Sequence, residues 1–421
     1  MASLSPQKQR DFAFQVVRKL QDGGFIAFWA GGCVRDQLLG RTPKDYDVAT
    51  NARPDQIRHL FRRHKTLAVG AAFGTITVVG PRGAGQVEVT TFRQDAEYSD
   101  GRHPDRVWFT SAQEDAQRRD FTINGLFYDP VQQEYIDYVG GREDIQRGQI
   151  RAIGDPQQRF HEDKLRMLRA VRFAAELGFT VEPATFQAIA QMADQILQVS
   201  AERIAGEMQR LLTAPFRGEG VRLLAASGLA CPLLPEILTP HTNQPRPELE
   251  RTLQLLERLQ EPSFALVLAA LLAGLCTARQ VIAIGRRWRL SNQVMERAAW
   301  LVEHHEVLRQ AAGQPWSKLQ PILIHPGASE LLALMEAKSQ LGWAAAEDIQ
   351  FCRAKLALPP EVLNPPPLIT GDDLNQLGIP QGPIYKKILD QVRADQLDGI
   401  IQSADQALQL ASRIAHNEAN P

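Results

Sequence analysis

The spacing of apolar residues changes character once along the chain. From 5 to 22, Phe12, Val16, Val17 and Leu20 recur at helical period and predict an entry helix. Between 25 and 92 the pattern is mixed. Strand-like runs occupy 25–30, 46–49, 73–79 and 87–92, and Asn51 is a candidate cap for a short helix over 54–61. The turn-like PRGAGQ between the last two runs predicts that they pair antiparallel. In the final run Glu88 and Thr90 share a face, opposite Val87 and Val89. Beyond 155 strand signals fade. A long helix is predicted over 157–177, closed by Gly178, with further helices around 183–197, 201–212, 217–227, 247–275, 278–310 and 328–355. Prolines at 359, 360, 365, 366 and 367 mark a break before a last helical unit, about 371–417. The expectation is an α+β protein with a mixed-sheet head followed by all-helical segments.

At 421 residues the chain is too long for one core, and two to four domains are expected. Hydrophobic content of 44% and charged content of 23% describe an ordinary globular chain. No apolar run of about 18 residues is present, so no membrane span is expected. The start, MASLSPQKQRDF, has no apolar stretch and predicts neither a signal nor a transit peptide. Cys33, Cys231, Cys276 and Cys352 form no CxxC pair, which predicts neither a zinc site nor a disulfide framework and suits a cytoplasmic location. Net charge is −1, so overall charge does not announce a nucleic-acid partner. Basic residues nevertheless cluster: Arg151, Arg159, Lys164, Arg166, Arg169 and Arg172 in one stretch, Arg58, Arg62, Arg63 and Lys65 in another. Such patches bind phosphates on a neutral protein, although the second reads equally as a solvated helix face.

The chemistry concentrates in GGCVRDQLLGRTPKDYDVAT, 31–50. Gly31 and Gly32 sit between a strand-like and a helix-like run, where the lack of a Cβ lets backbone approach an anion at a helix N-terminus. In an extended segment Asp45 and Asp47 point the same way and Tyr46 the other. Two converging carboxylates suit divalent ions about 4 Å apart, the arrangement for attack of a hydroxyl on an α-phosphate with pyrophosphate leaving. Glu88 is a candidate third carboxylate. Arg35, one turn into the helix, is a candidate triphosphate contact or, alternatively, a salt-bridge partner of Asp36 or Asp45.

In RRDFTINGLFYD, 118–129, Arg119 is a candidate to bind phosphate or order the metal site, and Asn124 to meet a ribose hydroxyl. Phe121, Ile123 and Leu126 read as core, and Arg118 as phosphate ligand or surface charge. The third motif is HEDKLRMLRAVRFAAELGF, 161–179. On one continuous helix Asp163 and Arg166 are i, i+3 neighbours. They are either an intrahelical ion pair or an acceptor and a donor fork turned towards a nucleobase. Cytosine and adenine place an amino group beside a ring-nitrogen acceptor and suit such a pair, whereas uracil and guanine put a carbonyl against the carboxylate. At about 100° per residue, Arg172 falls opposite Asp163, which assigns at least one of these arginines to phosphate binding or packing.

At these motifs the chain resembles the class II tRNA nucleotidyltransferase and bacterial poly(A) polymerase family. The resemblance rests on GGCVRD, DYD, RRDFTIN, IRAIGDPQQRFHED at 150–163 and the EDKLRMLRAVRF helix, and spans 20 to about 235. It implies a polymerase β-like nucleotidyltransferase head over 1–155, a neck over 156–235, a body over 236–360 and a tail over 361–421. It also implies template-independent addition or repair of the tRNA 3′-terminal CCA from CTP and ATP, with Mg²⁺ in a two-metal site. Poly(A) polymerase, CC-adding and A-adding enzymes are the alternatives. Carried onto this sequence, the metal ligands are Asp45 and Asp47, and the nucleotide contacts Gly32, Arg35, Arg119, Asp163, Arg166, Arg169 and Arg172. AERI at 201–204 resembles a helix-stabilising motif, and 368–392 a tail that meets the tRNA elbow. DAEYSDGRHPDRV, 95–107, sits where the family has a flexible loop, and its full length favours completing the terminal A. NG at 124–125 replaces the usual NA, a change conservative in volume. No HxxHD cluster is present, and adjacent His304 and His305 read as packing or surface residues. A non-catalytic RNA-binding protein is the contrasting reading, opposed by the intact carboxylates.

Overall fold

The computed structural model describes residues 5–62, 64–70, 73–95 and 107–419. The expected loop at 95–107, apart from its ends, and Arg63 lie outside the described residues. The chain divides into two units, Met1–Arg246 and Pro247–Pro421.

In the first unit α1 (Pro6–Asp22) turns the predicted apolar stripe inward, burying Phe12, Val16, Val17 and Leu20. It packs against a seven-stranded mixed sheet of order β3–β4–β5–β2–β1–β8–β9. The strands are β1 (Ala27–Ala30), β2 (Asp47–Thr50), β3 (Thr66–Gly70), β4 (Thr75–Val79), β5 (Gln86–Thr91), β8 (Leu126–Asp129) and β9 (Glu134–Asp137). Between β5 and β8 come a small antiparallel ribbon, β6 (Arg93–Asp95) with β7 (Val107–Phe109), and α4 (Ala112–Gln117). β4 and β5 pair antiparallel, as the turn between them implies. β2 and β5 pair parallel, which sets Asp47 directly opposite Glu88. Three sheet strands escaped the pattern. β8 is buried at all four positions and so shows no polar alternation, and β3 and β9 are edge strands.

Two caps differ from expectation. Arg53, with Gln56, caps α3 (Pro54–Leu60), while the Asn51 side-chain Oδ1 accepts from Ile26 N–H at 2.8 Å and ties two strand ends. The single helix predicted over 157–177 is two, α6 (Pro156–Glu162) and α7 (Leu165–Leu177). Asp163 between them is extended (φ −145°, ψ 104°), and its Oδ1 accepts from Leu165 N–H at 3.1 Å, supplying a local cap that competes with helix continuation. Gly178 ends α7 with φ 74°, as expected. α8 (Pro183–Met192), α9 (Ala201–Leu212) and α10 (Arg217–Ala226) complete the helical half of this unit, with α9 and α10 packed on α7.

The second unit is helical throughout its described residues. Its long predicted runs are broken at backbone positions no helix tolerates. Glu261 (φ 37°), Arg289 (φ 52°) and Gly342 (φ 73°) divide 247–275, 278–310 and 328–355 into pairs of helices. The last stretch has its own core of Leu374, Ile388, Val392, Ala407 and Ala411. His304 stacks on Trp300, 4.7 Å between centroids, a packing role as expected. No described helix is long and apolar enough to cross a membrane.

Gly125 is not a neutral stand-in for alanine, contrary to the volume argument. A Cβ there would meet Val139 Cγ2 at 2.7 Å and Ile153 Cδ1 at 3.2 Å. Gly125→Ala is therefore expected to cost about 1–3 kcal/mol by overpacking. Adding Val139→Ala should recover part of that loss, so that urea unfolding of the double variant shows less destabilisation than the two single effects summed.

Candidate active site

A cleft of about 960 Å³ opens within the first unit, walled on one side by the sheet and its loops and on the other by α7. All three sequence motifs meet in it. Gly31, Gly32, Arg35, Asp45, Asp47, Arg119, Asn124, Asp163, Arg166, Arg169 and Arg172 line it, and Glu88 does not. Glu88 instead stands beside Asp47 on the next strand.

Gly31 introduces α2 (Gly32–Leu38) with φ 73°, and a Cβ there would lie 2.8 Å from Arg119 Nη1. The positive φ favours glycine, and any Cβ would also oblige the Arg119 guanidinium to move. Asp45 and Asp47 do not converge through strand alternation, since β2 begins only at Asp47 and Asp45 belongs to the bend before it. Tyr46 is buried, its ring 4.8 Å from that of Trp29, and this anchor fixes the bend. Asp47 is open to solvent on one side yet closely walled. That partial burial, then the charges of Asp45 and Glu88, push its carboxyl up to about 6 against the pull of Arg119. Cys33 beneath it is sealed in, its thiol pushed up to about 12 chiefly by burial, and takes no part as a nucleophile.

The arginines are held by a set of carboxylates. Asp115, buried on α4, accepts from Arg118 at 2.7 Å and Arg119 at 3.0 Å. Arg35 donates to Asp36 at 2.7 Å and, through Nη1, to the Asn124 side-chain Oδ1 at 2.8 Å, and it makes no ion pair with Asp45. The Asn124 amide donates to Asp120 Oδ1 at 3.1 Å, and Arg169 donates to Asp120 Oδ2 at 2.6 and 3.0 Å. Burial alone would raise the Asp120 carboxyl, but Arg169 and the bonds it and Asn124 donate hold it well below the usual carboxylate range.

Asp163 and Arg166 are not an intrahelical pair, because the chain is extended at 163. Asp163 Oδ2 accepts from Arg203 of α9 at 2.7 Å, and Arg166 pairs with Glu162. The helical-wheel expectation that Arg172 lies opposite Asp163 fails for the same reason, and both line the cleft. Arg172 is buried against Glu176 and Glu207 and also lines the cleft, so packing and a ligand-facing position coincide in it. The basic clusters also sort themselves. Arg151 pairs with Asp144 and Glu182, and Arg159 donates to the Ile153 and Arg118 carbonyls, and neither lines the cleft. Arg58, Arg62 and Lys65 are solvated and off the cleft.

Two family models match this chain: the Poly A polymerase head domain over 27–151 and the probable RNA and SrmB-binding site of polymerase A over 178–239. The CCA-adding enzyme of Levilactobacillus brevis is 34% identical over 94% of this chain and 96% of its own, and that of Geobacillus stearothermophilus 36% identical over 93% of each. The chain belongs to the CCA-adding enzyme family. A solved structure of the Bacillus stearothermophilus CCA-adding enzyme in complex with CTP covers 99% of both chains at 31% identity and a TM-score of 0.75. The Thermotoga maritima CCA-adding enzyme complexed with tRNA, 20% identical with a TM-score of 0.65, shares the fold.

Within this CCA-adding enzyme fold, sequence reasoning passed over the carboxylates that hold the arginines. Asp115 lies three and four residues before Arg118 and Arg119, a legible helical spacing. Asp120 stands inside RRDFTIN itself. Glu207 had no local signal, since its partners are 35 and 38 residues away.

Asp120 supports a stability prediction. Its folded value lies below its unfolded one, so its contribution is present above about pH 4 and is lost as pH falls towards the folded value. Asp120→Asn leaves Arg169 without its main partner and should lower stability at neutral pH by about 3 kcal/mol. Urea midpoints compared at pH 7 and pH 3 should show the difference between the two proteins shrinking at the lower pH.

Proposed function

We propose that this protein builds the tRNA 3′-terminal CCA without a nucleic-acid template, taking cytidylate from CTP and adenylate from ATP. The observation that supports this most directly is that one cleft joins the Asp45–Asp47 carboxylates to the Asp163–Arg166 pair. Near-full-length relatives carrying the CCA-adding name favour it over poly(A) polymerase or a partial-activity enzyme. The tRNA 3′-hydroxyl attacks the α-phosphorus; a new phosphodiester forms as the bond to pyrophosphate breaks.

Asp45 and Asp47 fit hard divalent ions such as Mg²⁺. They are oxygen donors, and burial together with the charges of Asp45 and Glu88 raises Asp47, so a cation there would relieve an excess of negative charge. Asp45 and Asp47 would hold the ions, and so small a set of protein ligands suits Mg²⁺, which keeps water and phosphate oxygens among its ligands. When bound, the metals activate the hydroxyl and neutralise the leaving pyrophosphate. The amides after Gly31 and Gly32, with Arg35 and Arg119, receive the triphosphate, and Asn124 meets the ribose. Asp163, held by Arg203, accepts from the exocyclic amine of cytosine or adenine, and Arg166 donates to the ring nitrogen beside it. Arg169 and Arg172 complete the nucleotide contacts. We place the head, neck, body and tail at 1–155, 156–235, 236–360 and 361–421, the tail meeting the tRNA elbow, and the protein in the cytoplasm.

Incubation with tRNA ending before C74, CTP and ATP should give two C and one A; long A tracts on unrelated RNA would instead identify a poly(A) polymerase. Asp47→Ala should abolish incorporation and leave tRNA affinity within about twofold, read by filter binding. Asp163→Ala should raise UTP and GTP incorporation relative to CTP by tenfold or more, each lost base contact being worth about 1–3 kcal/mol. Arg203→Ala should move selectivity the same way by a smaller factor, because it removes only the anchor of Asp163.

A further inference from the structure

The centre of the α7 wall is an aromatic ring ringed by cations. Phe173 lines the cleft with only 5% of its surface exposed. The guanidinium carbon of Arg172 lies 3.7 Å from its ring centroid, and those of Arg35 and Arg169 each 5.3 Å away. Arg35 comes from α2 beside the sheet, whereas Arg169 and Arg172 belong to α7 with Phe173. Three like charges gathered about one residue repel one another, and an apolar filler would give them nothing in return.

Each cation has two restraints. On its outer side stands a carboxylate: Asp36 for Arg35, Asp120 for Arg169, Glu176 and Glu207 for Arg172. On its inner side is the Phe173 ring, whose negative π-face attracts a guanidinium within about 6 Å. The carboxylates are the partners that an incoming polyphosphate competes with for these guanidiniums. The ring, being uncharged, remains as a restraint when the anion arrives. Phe121, edge-on at 5.7 Å between centroids, fixes the plane of the ring.

We propose that Phe173 is a positioning residue for the nucleotidyl transfer, holding Arg35, Arg169 and Arg172 in the geometry that receives the nucleotide. It acts through its quadrupole and not merely through its volume. The inference rests on the nucleotidyltransferase reading of this cleft.

The test replaces Phe173 by phenylalanines carrying one, two and three ring fluorines, which keep the shape and progressively weaken the π-face. Steady-state KM and kcat for CTP and ATP are measured with the thermal midpoint. The expected result is a stepwise rise in KM for both nucleotides, reaching about tenfold at three fluorines, with kcat within about twofold and an unchanged midpoint. Phe173→Leu should show the full KM effect and Phe173→Tyr a small one. A flat KM across the fluorinated series overturns the proposal, as does a KM rise that merely follows a falling midpoint. If the wild type adds no C or A to tRNA, the functional reading has failed; if it does and the series is flat, only the role of Phe173 has.

Discussion

The ion pair between Asp120 and Arg169 organises the cleft. Asp120 follows the Arg118–Arg119 pair in the segment leading to the central strands, and Arg169 projects from the middle of α7. Moving a carboxylate and a guanidinium out of water costs several kcal/mol per ion, so such a pair persists only if its remaining valences are filled. They are: Asp120 also accepts from Asn124 and from Phe121 N–H, and Asn124 passes the connection to Arg35. One carboxylate thereby fixes the relation of α2, the RRDFTIN segment and α7. The glycine loop, the Asn124 amide and the cleft-facing residues of α7 inherit their spacing from it.

The charge layout explains how so many arginines share one wall without forcing it apart. Asp36, Asp115, Asp120, Glu162, Glu176 and Glu207 each pair with one or two guanidiniums. Asp45 and Asp47 are the exception. They stand near each other and Glu88 with only Arg119 opposing, and this imbalance adds to burial in raising the Asp47 carboxyl. Balanced positive groups and unbalanced negative ones in the same cleft suit a ligand that brings polyanion and cations together, as a metal–nucleoside triphosphate does.

What could be read from residues alone follows the range of the forces involved. The entry helix and the helical character beyond 155 are set by local periodicity and the β4–β5 pairing by the turn between those strands, and each is present. β8 was hidden because burial on both faces erases alternation, and the helix break at Asp163 because its capping bond competes with a pattern that is otherwise continuous. Motif by motif, the cleft-lining residues were legible, since glycine pairs, spaced carboxylates and arginine runs each carry a chemical reason. Their partners distant in sequence were not. Glu207 and Arg203 act across the packing of α9 on α7, and nothing in a linear pattern states which helices touch.

The break between α6 and α7 has a consequence for where information resides. On this reading, the restriction of the added nucleotides to C and A is written in no nucleic-acid template. It resides instead in the conformation of one extended residue, Asp163, and in the arginine that grips it from α9. A change at either residue would leave the body of a tRNA untouched and yet reach the end of every tRNA that the protein extends.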